Sequence, residues 1–283
     1  GILVDPIYTA KGLAGLIALA RTGVLDGRRV VYVLRRNPRS RGIRIVIDPR
    51  RGLLVSVPPP ARRGWAHPDP IIERFLRERS RWVLRHLERL EAQRAAQQAR
   101  GGARDGGSVL YLGIRHRVRV VAAGGTGAGR RSTTVERSGG EREDELLVRL
   151  RGGERRPVER VLEAWFRARA AERIAEVIER EAAALGVRPA AVVFRDPTSR
   201  WGSASRKGRL MFSWRLVLAP PAALETVVVH ELAHLRVFGH GPQFWALVAG
   251  RRPSHLADRA WLRRHSHELH AALEVDTPQA EAS

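Results

Sequence analysis

Val227-Val228-Val229-His230-Glu231-Leu232-Ala233-His234-Leu235-Arg236-Val237-Phe238-Gly239-His240 is the stretch on which the reading of the whole chain turns. As a helix it puts His230 and His234 four residues apart on one face, close enough to share a metal ion, with Glu231 about 100° round the axis. Catalytic zinc takes three protein ligands and keeps one position for water, whose pKa it lowers from about 15.7 to about 7. Glu231 follows the first ligand directly, so it can take that water's proton without occupying the metal. Gly239 is the candidate helix stop, a left-handed position that turns His240 back toward the ion. The expected ligand set is therefore His230, His234 and His240, with Glu231 as general base and one Zn²⁺ per chain.

A core histidine pair is the plain alternative. With 10 His in 283 residues, a chance His-Glu-x-x-His with a third His at one fixed offset arises about one time in a thousand. The run Val227-Val228-Val229 would suit a strand. Against that, Pro220-Pro221 supplies a helix start, Glu225 suits a first turn, and Leu224, Val228, Leu232 and Leu235 recur at helical spacing.

The residues around this helix carry a resemblance. Arg200-Trp201-Gly202-Ser203, Trp214-Arg215-Leu216, Leu218-Ala219-Pro220 and Gly239-His240-Gly241-Pro242-Gln243-Phe244-Trp245 bracket it in order. The chain thereby resembles the YgjP-like metallopeptidase family, more weakly upstream through Tyr111-Leu112-Gly113, over most of residues 28 to 250. The resemblance implies a zincin-like fold of α+β class, His230, His234 and His240 as ligands and Glu231 as base. It also admits a metal-dependent nucleotide pyrophosphatase of UTP type. Ala204 stands where the family often has Cys, and Glu225-Thr226 where it often has Asp-Tyr; neither position is a proposed ligand. A metzincin is excluded: Val237 replaces the Gly of their pattern, and the sole Met, Met211, lies upstream rather than in a later turn.

The net charge is +22, and Lys11 and Lys207 are the only lysines among the basic residues. So positive a surface attracts polyanions, nucleic acid included, although a GC-rich genome would also raise Arg, Ala and Gly together. The chain has no Cys, which excludes disulfides, a thiol nucleophile and Cys-ligated zinc, and fits a cytoplasmic protein. No 18-residue apolar run predicts a membrane span. Leu13 to Ala20 is apolar between Lys11 and Arg21 and reads as a short helix rather than a signal peptide.

Four segments are expected: an N-terminal extension over 1–27, a basic strand-rich region over 28–150, a zincin-like domain over 151–275, and a frayed tail over 276–283. Arg28 to Leu34, Ile43 to Ile47 and Leu53 to Val57 read as a small antiparallel sheet. One long helix follows from about Asp69, with Asp69 as its cap. Leu110 to Val121 reads as a hairpin about Gly113, and Ala122 to Glu143 as a mobile Gly-rich insertion. A helix from Val158 to Leu185 should stop at Gly186, followed by strands at Val192 to Phe194 and Arg209 to Val217. A helix from about Ser254 to Leu273 carries His267, Glu268 and His270, which are read as solvent-facing rather than as ligands.

Arg200 and Trp201, in the loop between the last two strands, are the candidate substrate contacts, Arg200 as a partner for an oxyanion and Trp201 as a cleft wall or packing residue. Phe244 and Trp245 should buttress His240, and Trp214 should be core. The expected function is zinc-dependent peptide hydrolysis. The competing readings are the pyrophosphatase, a nucleic-acid-associated protease distantly similar to the SprT proteins, and a binding module with a structural metal.

Overall fold

A computed structural model describes residues 19–25, 28–48, 52–122, 132–139 and 144–275. Two compact units, Gly1–Ala95 and Ala96–Ser283, account for the chain. In the first, β1 (Leu19–Leu25), β2 (Arg28–Arg36), β3 (Arg44–Asp48) and β4 (Gly52–Val57) form a sheet in the order β1-β2-β4-β3. The sheet is mixed rather than wholly antiparallel, because β4 runs parallel to β2 while the other pairs are antiparallel. Burial accounts for that order. Leu53, Leu54, Val55 and Val57 are consecutive or nearly so and all buried, so β4 needs cover on both faces and lies inside. In β3 only alternate residues are partly covered, which suits an edge. Leu19 and Ala20, expected at the end of a short helix, open β1, and the remainder of that stretch lies outside the described residues.

The helix expected from Asp69 is two helices, α1 (Asp69–Glu78) and α2 (Ser80–Arg100), with Pro68 rather than Asp69 at the N-cap. The break falls at Arg79, whose backbone (φ −115°, ψ 15°) has left the helical region and whose guanidinium lies over Phe75. Ile72, Leu76 and Val83 close the sheet's core with Tyr32, Leu34, Leu53, Val55 and Val57.

The second unit starts with β5 (Ser108–Tyr111), β6 (Ile114–Val121), β7 (Thr134–Gly139) and β8 (Asp144–Arg149), in the order β5-β6-β8-β7. The expected hairpin turns at Leu112 and Gly113, both left-handed at φ 52° and 78°. Part of the expected mobile insertion is strand: β7 pairs with β8 along its length, although Val135 is its only large apolar residue. Residues 123–131 and 140–143 of that insertion lie outside the described residues.

α3 (Val158–Leu185) ends where expected, on Gly186 in the left-handed conformation. A three-stranded sheet follows, β9 (Ala191–Arg195), β10 (Gly202–Ala204) and β11 (Arg209–Ser213), ordered β10-β11-β9. The strand expected to run on to Val217 stops at Ser213, and Trp214–Leu218 is a 3₁₀ helix whose start is capped by the Ser213 hydroxyl accepting from the Arg215 amide. Arg215 holds that turn by donating to both oxygens of Asp196 and to the Leu269 carbonyl. Trp214 is fully buried, as expected.

Then come α4 (Pro221–Ala233), α5 (Pro242–Arg251) and α6 (His255–Ala271). α4 packs against α3 and is buried nearly all round, Val227, Val228 and Val229 included. Each such side chain contributes about 1.5–3 kcal/mol of burial, several times the helix-propensity deficit of Val. That is why the β-branched run is helical. The Leu112-Gly113 turn clasps the start of α4: their amides donate to the carbonyls of Val217 and Leu218 at 2.9 and 3.0 Å. A Cβ on Gly113 would stand 2.7 Å from the Pro220 ring. Among the described residues no helix is long and apolar enough to cross a membrane.

Candidate metal centre

α4 delivers His230 in its last turn and His234 at its C-cap. The helix ends at Ala233, earlier than the expected stop. The chain continues through turns, and Gly239, at φ 100°, then swings His240 back. One ring nitrogen from each of His230, His234 and His240 can be chosen so that all lie within 4.8 Å of one another. The Nε2 atoms of His230 and His240 are 3.2 Å apart, close to the ~3.3 Å between two nitrogens held at 2.0–2.1 Å on a tetrahedral ion. Among the described residues this is the one cluster of three metal-capable side chains.

Phe244, fully buried at the start of α5, touches all three rings at centroid distances of 4.4 to 4.9 Å, and Trp245 backs His230 and His240. Both act as the expected buttress. Burial, followed by the neighbouring His234 and His240, holds the His230 pKa down to about 3, and burial lowers that of His234 as well. Three neutral imidazoles are the ligating form. His234 Nδ1 is buried without a well-formed hydrogen bond, the Val237 backbone being the polar group beside it. The donor set fits a divalent transition metal and not Mg²⁺ or Ca²⁺, which seek oxygen.

Glu231, the residue after His230 on α4, is buried. Burial pushes its pKa up to about 7 against the opposing pull of Arg200. Its carboxylate lies on Gly202 of β10: a Cβ there would meet Glu231 Cγ and Oε1 at 2.7 Å. The sequence alone does not assign Gly202 this role; its place immediately after Arg200-Trp201 is the available signal. Arg200 is exposed in the loop before β10. Trp201 is half-buried and stacks on His270, centroids 4.8 Å apart and planes 12° apart. Glu268 is paired with Arg100 and Arg115.

The elements bearing the cluster are cross-tied. The Thr226 hydroxyl, one turn before His230, donates to Asp258, which also accepts from Ser254. Arg252 donates to Glu225 and to the Ala222 carbonyl, joining α5 to the first turns of α4. Such satisfied buried networks hold one geometry rather than several.

The sequence pattern of the YgjP-like metallopeptidase domain matches residues 41–265. The chain belongs to this family. It is a metal-dependent hydrolase, and a YgjP-like metallopeptidase implies a bound metal. Among solved structures, the chain is similar to a crystal structure of the metallopeptidase zymogen of Pyrococcus abyssi abylysin. That match has 22% identity over 32% of this chain and 93% of the other, with a TM-score of 0.28. No curated protein sequence matches this YgjP-like chain.

Proposed function

We propose that this chain is a zinc peptidase in which His230, His234 and His240 hold one Zn²⁺ and Glu231 is the general base. The observation that carries the reading is the convergence of three imidazoles, with the buried carboxylate of Glu231, the residue after the first of them on α4, seated on Gly202. When bound, zinc supplies a Lewis acid and lowers the pKa of a coordinated water to about 7. Glu231, with its own pKa near 7, is matched to accept a proton from water at neutral pH and to pass it to the departing amide nitrogen. Burial strengthens that exchange by keeping bulk water from the carboxylate. Arg200, whose charge already reaches Glu231, would steady the negative oxygen that develops on the scissile carbonyl.

The test measures zinc per chain, hydrolysis of an unstructured protein and release of pyrophosphate from a nucleoside triphosphate, in wild type and Glu231→Gln. The expected result is one zinc in both proteins, with protein cleavage reduced by roughly 10²–10⁴-fold in the variant. Pyrophosphate release that depends on Glu231, with no protein cleavage, would replace the peptidase by the pyrophosphatase. A folded wild type that takes up no zinc would return the three histidines to a structural role.

A further inference from the structure

Three guanidinium groups lie near the histidine cluster, and none forms a salt bridge among the described residues. Arg206 lies over the ring of Phe238 at 5.6 Å, and that ring stacks on His234 at 6.5 Å. Arg259, on α6, lies over Trp245 at 4.4 Å, and Trp245 packs on His230 and His240 at 5.7 and 5.8 Å. Arg200 lies exposed in the loop before β10, near enough for its charge to act on Glu231. Each of the first two is therefore one aromatic ring away from a histidine, within about 10 to 12 Å of its ring.

Four other arginines of this unit, by contrast, are paired. Arg180 and Arg251 share Glu181, Arg252 pairs with Glu225, and Arg215 forks onto Asp196. Near the cluster the carboxylates are committed, Glu231 to its seat on Gly202 and Asp258 to Thr226 and Ser254. Cations about one Debye length from a common centre, as Arg206 and Arg259 are, repel one another and are relieved by an arriving anion. Aromatic faces hold two of the guanidiniums in place, which lowers the ordering cost of pairing with a planar carboxylate. An extended peptide advances about 3.3–3.6 Å per residue, so these cations fall within about three residues of a bond cleaved at the cluster.

We propose that Arg259 and Arg206, aided by Arg200, make this site selective for peptide segments with Asp or Glu side chains within about three residues of the scissile bond. This rests on the peptidase reading: if the reacting bond is an amide, the anions these cations meet are side chains of the same peptide.

The test uses the full-length zinc-loaded protein and fluorogenic peptides identical except for one flanking position, occupied by Asp, Gln or Lys. The expected order of kcat/KM is Asp over Gln over Lys, roughly fivefold for each charge contact, and the spread contracts in about 1 M salt. Arg259→Gln and Arg206→Gln lower the Asp-to-Gln ratio, mainly through KM, with melting temperatures matching wild type. Arg259→Lys keeps more of the ratio, and Arg259→Glu moves preference toward Lys. Equal kcat/KM for all three peptides in a Glu231-dependent reaction would overturn the selectivity and leave the peptidase reading standing. An acidic preference that survives both Arg substitutions would overturn the assignment to these residues. Inhibition by a single-stranded DNA oligonucleotide at lower concentration than by polyglutamate would reassign the cations to nucleic acid. Failure to cleave any peptide in a Glu231-dependent way would sink the peptidase reading itself.

Discussion

The sheet β1-β2-β4-β3 and the sheet β5-β6-β8-β7 have the same connectivity: an antiparallel hairpin, a parallel inner pair, and a second antiparallel hairpin, with helix following. Their surroundings differ. The first closes a local core with Ile72, Leu76 and Val83. The second shares one continuous core with α3, the 3₁₀ turn and α4, so its Val118, Leu146 and Val148 belong to the same packed body as Leu224, Val228 and Leu232. One topology therefore serves two ends, and what differs is the core that each sheet closes.

Removing a ligand should separate the two regions most sharply. His234→Ala is expected to abolish stoichiometric zinc and reduce hydrolysis to background. Zinc at about 100 times its Kd should raise wild-type stability by about 2.7 kcal/mol and the variant's not at all, as read by thermal melts. Hydrogen exchange should place the wild-type gain in residues 96–275 and leave 28–57 unchanged. Equal protection of both sheets by zinc would break the contrast. Next in size is core truncation. Leu232→Ala and Leu53→Ala, both at sites almost fully buried, should each cost about 2–5 kcal/mol, but only Leu232→Ala should weaken zinc binding in a metal titration.

The third effect depends on pH. The folded pKa of Glu231, about 7, lies above the 4.5 of a free Glu, so the folded state favours the protonated acid. Its stabilisation is fully present below about pH 4.5 and is lost as pH rises through 7. Metal-free wild type should therefore lose up to about 3 kcal/mol relative to Glu231→Gln across that window, measured by denaturant melts of both proteins. A constant difference from pH 4.5 to 8 would show that the carboxylate is solvated. Smallest is Gly202→Ala, which must displace the Glu231 side chain. We expect a folded, zinc-loaded protein with kcat lowered roughly 10–100-fold, a cost of about 1.4–2.7 kcal/mol in the transition state.

The histidine spacing, the Gly186 stop and the apolar stripe of α3 were legible because each is a local pattern with one physical reading. What escaped depended on contacts distant in sequence. Nothing within Leu53 to Val57 says that its neighbour is β2 in parallel; that order follows from burying β4 on both faces. Thr134–Gly139 is too polar to announce a strand and is one because β8 offers it a ladder. Trp214–Leu218 has strand-like composition, yet Ser213 and Arg215 turn it into a 3₁₀ helix through bonds to the Arg215 amide, Asp196 and Leu269. At the cluster, the ligand pattern could be read from spacing, whereas the seat of Glu231 on Gly202 and the aromatic supports of Arg206 and Arg259 required the folded chain.

The clasp of Leu112 and Gly113 on the residues before Pro220 bears on how short a catalytic fragment can be. A polypeptide starting at 151 would contain every histidine of the cluster but lack the turn that receives α4, leaving the Val217 and Leu218 carbonyls without their donors. Such a fragment is expected to be recovered as aggregate, whereas one starting at 96 keeps the hairpin and its grip.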